Sequence, residues 1–270
     1  MIVITGATGN VGTPLVKTLA AAGEEVVAVS RRPSGLPGHR RGDLTEPASL
    51  KPALEGADAL FLLTAGEFMG TGGDLGPVLD VARGAGVRRV VLLSSQGVGS
   101  GHHPPMLEGA VKESGLAWTI LRPGGFHSNA LQWAETVRAR RTVAAPFGDA
   151  AVPNIDPVDI ADVAAVTLTE PGHAGATYEL TGPAPISPRE QAAAIGNALG
   201  EQVRFVELSR DQAKAAMLAF MPEPIADVTL DVLGEPPSEL RKPSPDVERV
   251  LGRPARKFGD WAARNAAAFR

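Results

Sequence analysis

The sequence predicts an α/β protein: a doubly wound parallel sheet with helices on both faces, joined to a small C-terminal α/β lobe. Three observations carry this. Short β-branched apolar runs alternate with helical stretches of about ten residues through the first half of the chain. Those strand runs are continuously apolar, as in a sheet covered on both sides. And the first of them runs straight into a glycine-rich turn and a helix, "VITGATGNVGTPLVKTLAAAG".

Each element follows from local pattern. "MIVIT" is a buried strand by its β-branched content, and "TPLVKTLAAAG" has apolar residues at helical spacing and stops at Gly23. "EEVVAVS" is the second strand, and "PASLKPALEG" a short helix with Pro47 near its start. "DALFLLT", "VRRVVLLSS" and "AWTILRP" are further strands, separated by the helices "DLGPVLDVARGAG" and "MLEGAVKESG". "DPVDIADVAAVTLTEP" is a helix with Asp156 or Asp159 as its cap and Pro157 in its first turn. "ATYELTGP" is a strand, and "SPREQAAAIGNALG" a helix opened by Ser187 with Glu190 three residues on, the capping-box pattern. "QVRFVEL" is a short strand, "LGEPPSELRKPSP" a proline-rich loop and "FGDWAARNAAAF" a terminal helix. No internal repeat or long linker interrupts them. The core therefore takes mainly residues 1–125 and about 151–182, and the smaller lobe mainly 126–150 and 183–258.

Composition narrows the function classes. The 270 residues are 44% hydrophobic and 21% charged, within the ordinary globular range. A net charge of −4 argues against a broad nucleic-acid footprint, which needs a basic excess. The absence of cysteine removes disulfides, thiol catalysis and cysteine-based zinc sites. No apolar run approaches the ~20 residues of a membrane span, and no basic leader precedes the first strand. The expectation is a soluble cytoplasmic protein acting on a small molecule, with no nucleic-acid or membrane partner and with a homodimer among its possible states.

The turn runs Gly6-Ala7-Thr8-Gly9-Asn10-Val11-Gly12. The first glycine permits the tight strand-to-helix turn, the second lets backbone approach a pyrophosphate, and the third lets helix pack on strand. Phosphates would then sit on the unpaired amides of the helix N-terminus. A glycine triplet alone is a weak signal, but here a strand precedes it and a helix follows. At the end of the second strand an NAD-binding protein places a carboxylate for the ribose 2′-hydroxyl. This chain has Ser30, Arg31 and Arg32 instead, and two guanidiniums match a 2′-phosphate. NADP(H) is therefore the expected cofactor; the plainer alternative is two solvated arginines. Asp43, where the third strand should end, either accepts from the adenine amine or closes an Asx-turn.

"ITGATGNVG", "SRRP", "GDL", "FLLT", "VVLLSSQG", "ESGLAWTILRPGGFHSN" and "DPVDIADVAA" occur in the order typical of the NmrA-like atypical short-chain dehydrogenase/reductases. The chain resembles that family over nearly its whole length, and within it the NAD(P)H-dependent quinone reductase branch. The resemblance implies a Rossmann domain binding NADP(H), with a small lobe over the nicotinamide. It assigns Gly6, Ala7, Thr8, Gly9, Asn10 and Val11 to the pyrophosphate loop, Arg31 and Arg32 to the 2′-phosphate, and Asp43 and Leu44 to the adenine pocket. It assigns Leu63 and Thr64 to the ribose and phosphate wall, and Ser94 and Ser95 to the nicotinamide region, Ser95 toward the substrate. Pro123, Gly124, Gly125 and Phe126 match the turn that borders the nicotinamide and opens to substrate.

No catalytic residue stands out. Better-known members use a Tyr-x-x-x-Lys pair, in which tyrosine moves the proton and lysine lowers its pKa. The segment that should carry it, "GHHPPMLEGAVKESG", has no tyrosine, and Lys112 reads as a solvated lysine near a helix end. The one tyrosine, Tyr178, is in a late strand. His102, His103 and His127 are the remaining proton donors near neutrality. His127, after "RPGGF", is the best placed for catalysis or substrate contact, against the alternative of ordinary loop histidines. No metal site is expected. Met217, Phe220 and Met221 read as helix packing or as the lining of an apolar lid. The expected function is NADPH-dependent reduction of a quinone or similar conjugated acceptor. The alternative is an NADP(H)-sensing regulator without catalysis.

Overall fold

The computed structural model describes residues 1–64, 68, 69 and 72–270. The chain divides into two compact units: residues 1–123, 157–180 and 246–253, and residues 124–156, 181–245 and 254–270. The helix Asp246–Leu251 falls in the first unit, and the tail from Pro254 in the second.

The first unit holds a seven-stranded sheet. Its strands are β1 (Ile2–Ile4), β2 (Val26–Ser30), β3 (Arg40–Arg41), β4 (Ala59–Leu63), β5 (Arg89–Leu93), β6 (Ala117–Pro123) and β8 (Ala176–Leu180), in the order β3-β2-β1-β4-β5-β6-β8. Every pairing is parallel. Parallel neighbours need crossover helices, and these cover both faces. On one face Val3, Val29, Leu60, Leu62, Val90, Leu92 and Ile120 pack with Leu75, Val78, Leu79 and Val111 of the crossover segments. Helices α1 (Gly12–Ala21) and α2 (Pro157–Thr169) pair on the other. The alternate strand residues Ile4, Phe61, Val91 and Leu121 are fully buried. The sheet order reverses between β1 and β4, so a crevice opens at their C-terminal ends.

In the second unit β7 (Thr142–Ala145) pairs in parallel with β9 (Arg204–Glu207). The helix Pro188–Leu199 lies against them and against the helix Phe258–Arg264. Its capping box is formed as the sequence predicts: Ser187 accepts from the Glu190 N–H, and the Glu190 carboxylate accepts from the Ser187 N–H. The core of this unit gathers Trp133, Val137, Val143, Ile195, Phe258, Trp261 and Phe269.

Candidate functional site

The functional residues read from the sequence as far as Pro123 gather along the C-terminal ends of the sheet strands in the first unit. At the end of β1, Gly6 has φ +62°, and a Cβ there would lie 2.8 Å from Leu63 Cδ2. A Cβ on Gly12 would lie 2.2 Å from the Gly6 carbonyl oxygen and 2.7 Å from Ala7 Cα. Gly9 is less confined, its nearest neighbour being the Gly6 oxygen at 3.3 Å. Two threonines brace the turn. Thr5 Oγ1 accepts from the Leu63 N–H at 2.8 Å, tying β1 to β4 where the sheet order reverses. Thr13 Oγ1 donates to the Ala7 carbonyl at 3.1 Å. The first turn of α1 carries no acidic residue and its N-cap no side-chain hydrogen bond. Thr8, Gly9 and Asn10 are exposed ahead of it. A helix N-terminus with this geometry binds anions. The glycine cradle that a Cβ would fill is the shape a pyrophosphate requires.

At the end of β2, Arg31 and Arg32 are exposed, and Arg40 and Arg41 of β3 stand beside that strand end. Ser30 Oγ donates to the Arg32 carbonyl at 2.6 Å, which spends its one proton. The His39 Nε2 atom, 2.9 Å from the same oxygen, is therefore the donor in that contact. His39 thus pins the arginine-bearing strand end to the segment entering β3. Positive side chains with no carboxylate at the end of β2 fit a ligand with an additional phosphate there.

Asp43 closes an Asx-turn: its Oδ1 accepts from both the N–H and the hydroxyl of Thr45, each at 2.9 Å. Leu44 packs partly buried against the core of this unit, and Leu63 lies under Gly6. Thr64, half-buried, follows β4.

Ser94 and Ser95 follow β5. The Ser94 hydroxyl donates to Glu108 Oε1 at 2.7 Å, so Ser94 presents lone pairs to any ligand. Ser95 Oγ accepts from the Gly97 N–H, which leaves its own proton to donate. Behind them lies a charged network that sequence reasoning missed. Arg122 of β6 grips Glu108 with two hydrogen bonds, at 2.8 and 2.7 Å, and reaches Glu179 of β8 at 3.3 Å. Burial alone pushes the Glu108 carboxyl up. The Arg122 hydrogen bonds, the Ser94 hydroxyl and the charges of Arg122 and Lys112 outweigh that and hold it below the ordinary range. Burial pushes Glu179 up, with Arg122 opposing, and its Oε2 is buried without a hydrogen-bond partner among the described residues. The available signal was the arginine inside the apolar strand "TILRP", since a buried guanidinium needs a buried acid.

Lys112 is an exposed lysine near its helix end, pairing with Glu108 at 3.6 Å and lying over the Trp118 ring. Tyr178 shares a 2.8 Å hydrogen bond with His173 Nδ1, a packing role on β8. Pro123 is the buried last residue of β6. In the second unit, Gly125, Phe126 and His127 are fixed by backbone hydrogen bonds to Ile155. The His127 ring is 2% exposed and sits edge-on to Phe258 and Trp261. It lies in an aromatic core, not at an exposed surface of its unit, and that burial removes the reason for naming it as a proton donor. Phe126 is half-buried.

Comparison with known proteins agrees with this geometry. A family profile described as NAD(P)H-binding matches residues 6–171. A (4-alkanoyl-5-oxo-2,5-dihydrofuran-3-yl)methyl phosphate reductase of Streptomyces griseus is 39% identical over 100% of this chain and 99% of its own. An NAD(P)H azoreductase of Xenophilus azovorans is 36% identical, with the same coverage. Among solved structures, an NADPH-dependent quinone oxidoreductase of Escherichia coli, complexed with NADPH, superposes with a TM-score of 0.80. It is 26% identical, over 98% of this chain and 99% of that one.

Proposed function

The chain belongs to the NAD(P)H-binding family, among the NmrA-like atypical short-chain dehydrogenase/reductases, and from that premise we propose that it reduces a quinone or similar small conjugated acceptor with NADPH. The observation that carries the cofactor choice is the Arg31–Arg32 pair at the end of β2, where the sequence Ser30-Arg31-Arg32 has no carboxylate. The relatives support the reaction class, being named as reductases of a conjugated lactone, of azo compounds and of quinones.

The bound cofactor supplies the hydride. The chain's own residues then have three tasks. The Gly6–Gly12 turn and the N-terminus of α1 hold the pyrophosphate. Arg31 and Arg32 read the 2′-phosphate. Ser94, its proton held by Glu108, accepts from the ligand, while Ser95 donates toward an oxygen gaining charge. None of these groups is a strong acid, so the proposed site positions and polarises rather than protonates.

The test is direct. Purified protein with NADPH and a panel of benzoquinones, naphthoquinones and azo dyes is expected to consume NADPH. No turnover with any acceptor, together with micromolar binding of the oxidised cofactor, would replace this reading with the regulator.

A further inference from the structure

Among the described residues, two non-glycine residues have positive φ, Arg141 and Phe147. Arg141 caps the helix Ala134–Arg140, a position where the left-handed conformation is common. Phe147, at φ +53°, has no such reason, and a bulky residue there is a genuine outlier. Strain of this kind persists only where the surroundings enforce it.

Here they do, from several sides. The Gly148 N–H donates to Glu207 Oε1 at 3.1 Å. Arg189 donates to the other oxygen of Glu207 at 2.9 Å and to Asp149 Oδ1 at 2.9 Å, and its N–H donates to the Gly148 carbonyl at 3.1 Å. Its guanidinium also lies 4.7 Å from the centre of the Phe205 ring. The Arg189 hydrogen bond holds the Asp149 carboxyl below the ordinary range, so the clamp stays ionised near neutrality. Two glycines make room. A Cβ on Gly148 would lie 2.6 Å from Phe205 Cε1, and one on Gly234 would lie 2.9 Å from Phe147 Cε1.

What this clamp fixes is Phe147, which lines a cavity of about 610 Å³, open to solvent, within the second unit. Ala150, Ala151, Pro185 and Pro236 supply further apolar wall, and Arg241 a cation. The Arg241 Nε atom donates to the Pro236 carbonyl at 2.7 Å, which orients the guanidinium and leaves its Nη groups to other acceptors. A fixed aromatic face suits a flat ring, and an oriented guanidinium suits an oxygen acceptor. The carboxylates of Asp149 and Glu207 are both engaged by Arg189, so the cation in the wall without an acidic partner among the described residues is Arg241.

We propose that this cavity binds a planar conjugated ring bearing a carbonyl or anionic oxygen, with Phe147 as its stacking face and Arg241 as its anchor. The ligand class rests on the reductase reading above; the site rests on the clamp and the cavity.

The full chain, without cofactor, is titrated calorimetrically with 1,4-naphthoquinone and with 1,4-naphthoquinone-2-sulfonate. Phe147→Gly removes the ring and relieves the positive φ, so the fold is retained; a thermal melt checks this. Arg241→Gln changes an exposed residue and spares the core. Phe147→Gly is expected to weaken both probes about tenfold. Arg241→Gln is expected to weaken the sulfonate about tenfold, and more than the neutral quinone. If the protein consumes NADPH with these quinones while both variants keep wild-type Kd and KM, the cavity assignment is wrong and the reductase reading stands. If variant-sensitive binding appears without NADPH consumption by any acceptor, the cavity stands and the reductase reading falls. Absence of binding of either probe to the wild-type chain overturns the cavity assignment.

Discussion

Gly12→Ala is expected to damage cofactor binding out of proportion to the single methyl it adds. The new Cβ would lie 2.2 Å from the Gly6 carbonyl oxygen and 2.7 Å from Ala7 Cα, and both are backbone atoms. Relief to an ordinary contact of about 3.5 Å requires α1 and the turn to separate by roughly 1 Å. No rotamer change can absorb that. Overpacking of this kind costs about 1–3 kcal/mol, and a backbone clash belongs at the upper end. The same displacement swings the amides of the helix N-terminus away from the pyrophosphate. Losing one hydrogen bond to a charged group costs about 1.5–3 kcal/mol, which is a tenfold to hundredfold rise in Kd.

Gly84→Ala, at the end of the helix Gly76–Gly84, is the internal control, because its Cβ would meet nothing within 4 Å and it lies outside the phosphate turn. Both variants are titrated with NADPH by fluorescence and melted with and without cofactor. The expected order is Gly12→Ala far weaker than Gly84→Ala, and Gly84→Ala near wild type. Equal NADPH affinities for Gly12→Ala and wild type would refute the claim that this packing positions the phosphate amides.

Arg31→Asp should raise the Kd for NADPH by roughly 100-fold, from lost charge-assisted hydrogen bonds plus repulsion, and leave NADH nearly unchanged; unchanged NADPH affinity removes the 2′-phosphate assignment. Glu108→Gln should cost about 2–3 kcal/mol at pH 7, because Arg122 keeps only Glu179 as a charged partner. Its pH dependence has a definite sign. The Glu108 carboxyl is held below the ordinary range, so its contribution is complete above that range and is lost as pH falls through the depressed value. Denaturant melts from pH 7 down to pH 3 should therefore show the two proteins converging in acid; a constant gap contradicts the ion-pair account. Ser95→Ala should lower kcat about tenfold at unchanged NADPH affinity, whereas a purely capping Ser95 would shift the melting temperature alone.

The parallel sheet and its phosphate turn were legible because both rest on short-range signals. Apolar strand runs and glycines at fixed spacing are local properties, and Ser187 and Glu190 announce their capping box three residues apart. What escaped were pairings between distant residues. Arg122 and Glu108 lie 14 positions apart in sequence, and their partnership exists only once β6 and the preceding helix pack. β7 is four residues with no strong pattern, and it is a strand because β9, some 60 residues later, pairs with it. His127 looked like an acid–base group because it follows the "RPGGF" turn. Its surroundings, Phe258 and Trp261, come from the far end of the chain. The Asp43 alternatives were both local, and the Asx-turn is formed.

The polar groups at the strand ends also bear on which acceptors the protein can reduce. Ser94 cannot donate, because Glu108 takes its proton, and Glu108 is a poor acid, because Arg122 and Lys112 hold it ionised. Tyr178 is tied to His173, and His127 is walled in by aromatic rings. Of these strand-end groups Ser95 is left, a hydroxyl that stabilises an oxyanion without surrendering a proton near neutrality, while His102 and His103 are exposed in the segment that follows it. A simple ketone accepting hydride becomes a strongly basic alkoxide and needs a positioned acid. A quinone becomes a phenolate-like anion, stabilised by its own ring, that water can protonate. The protein should therefore reduce naphthoquinones and leave cyclohexanone and acetophenone untouched at any pH between 6 and 8. Its kcat with quinones should stay flat across that interval, since on this account neither His102 nor His103 serves the reaction. Efficient reduction of a simple ketone, or a bell-shaped profile centred near neutrality, would mean that a real acid acts at the site and that the positioning account is wrong.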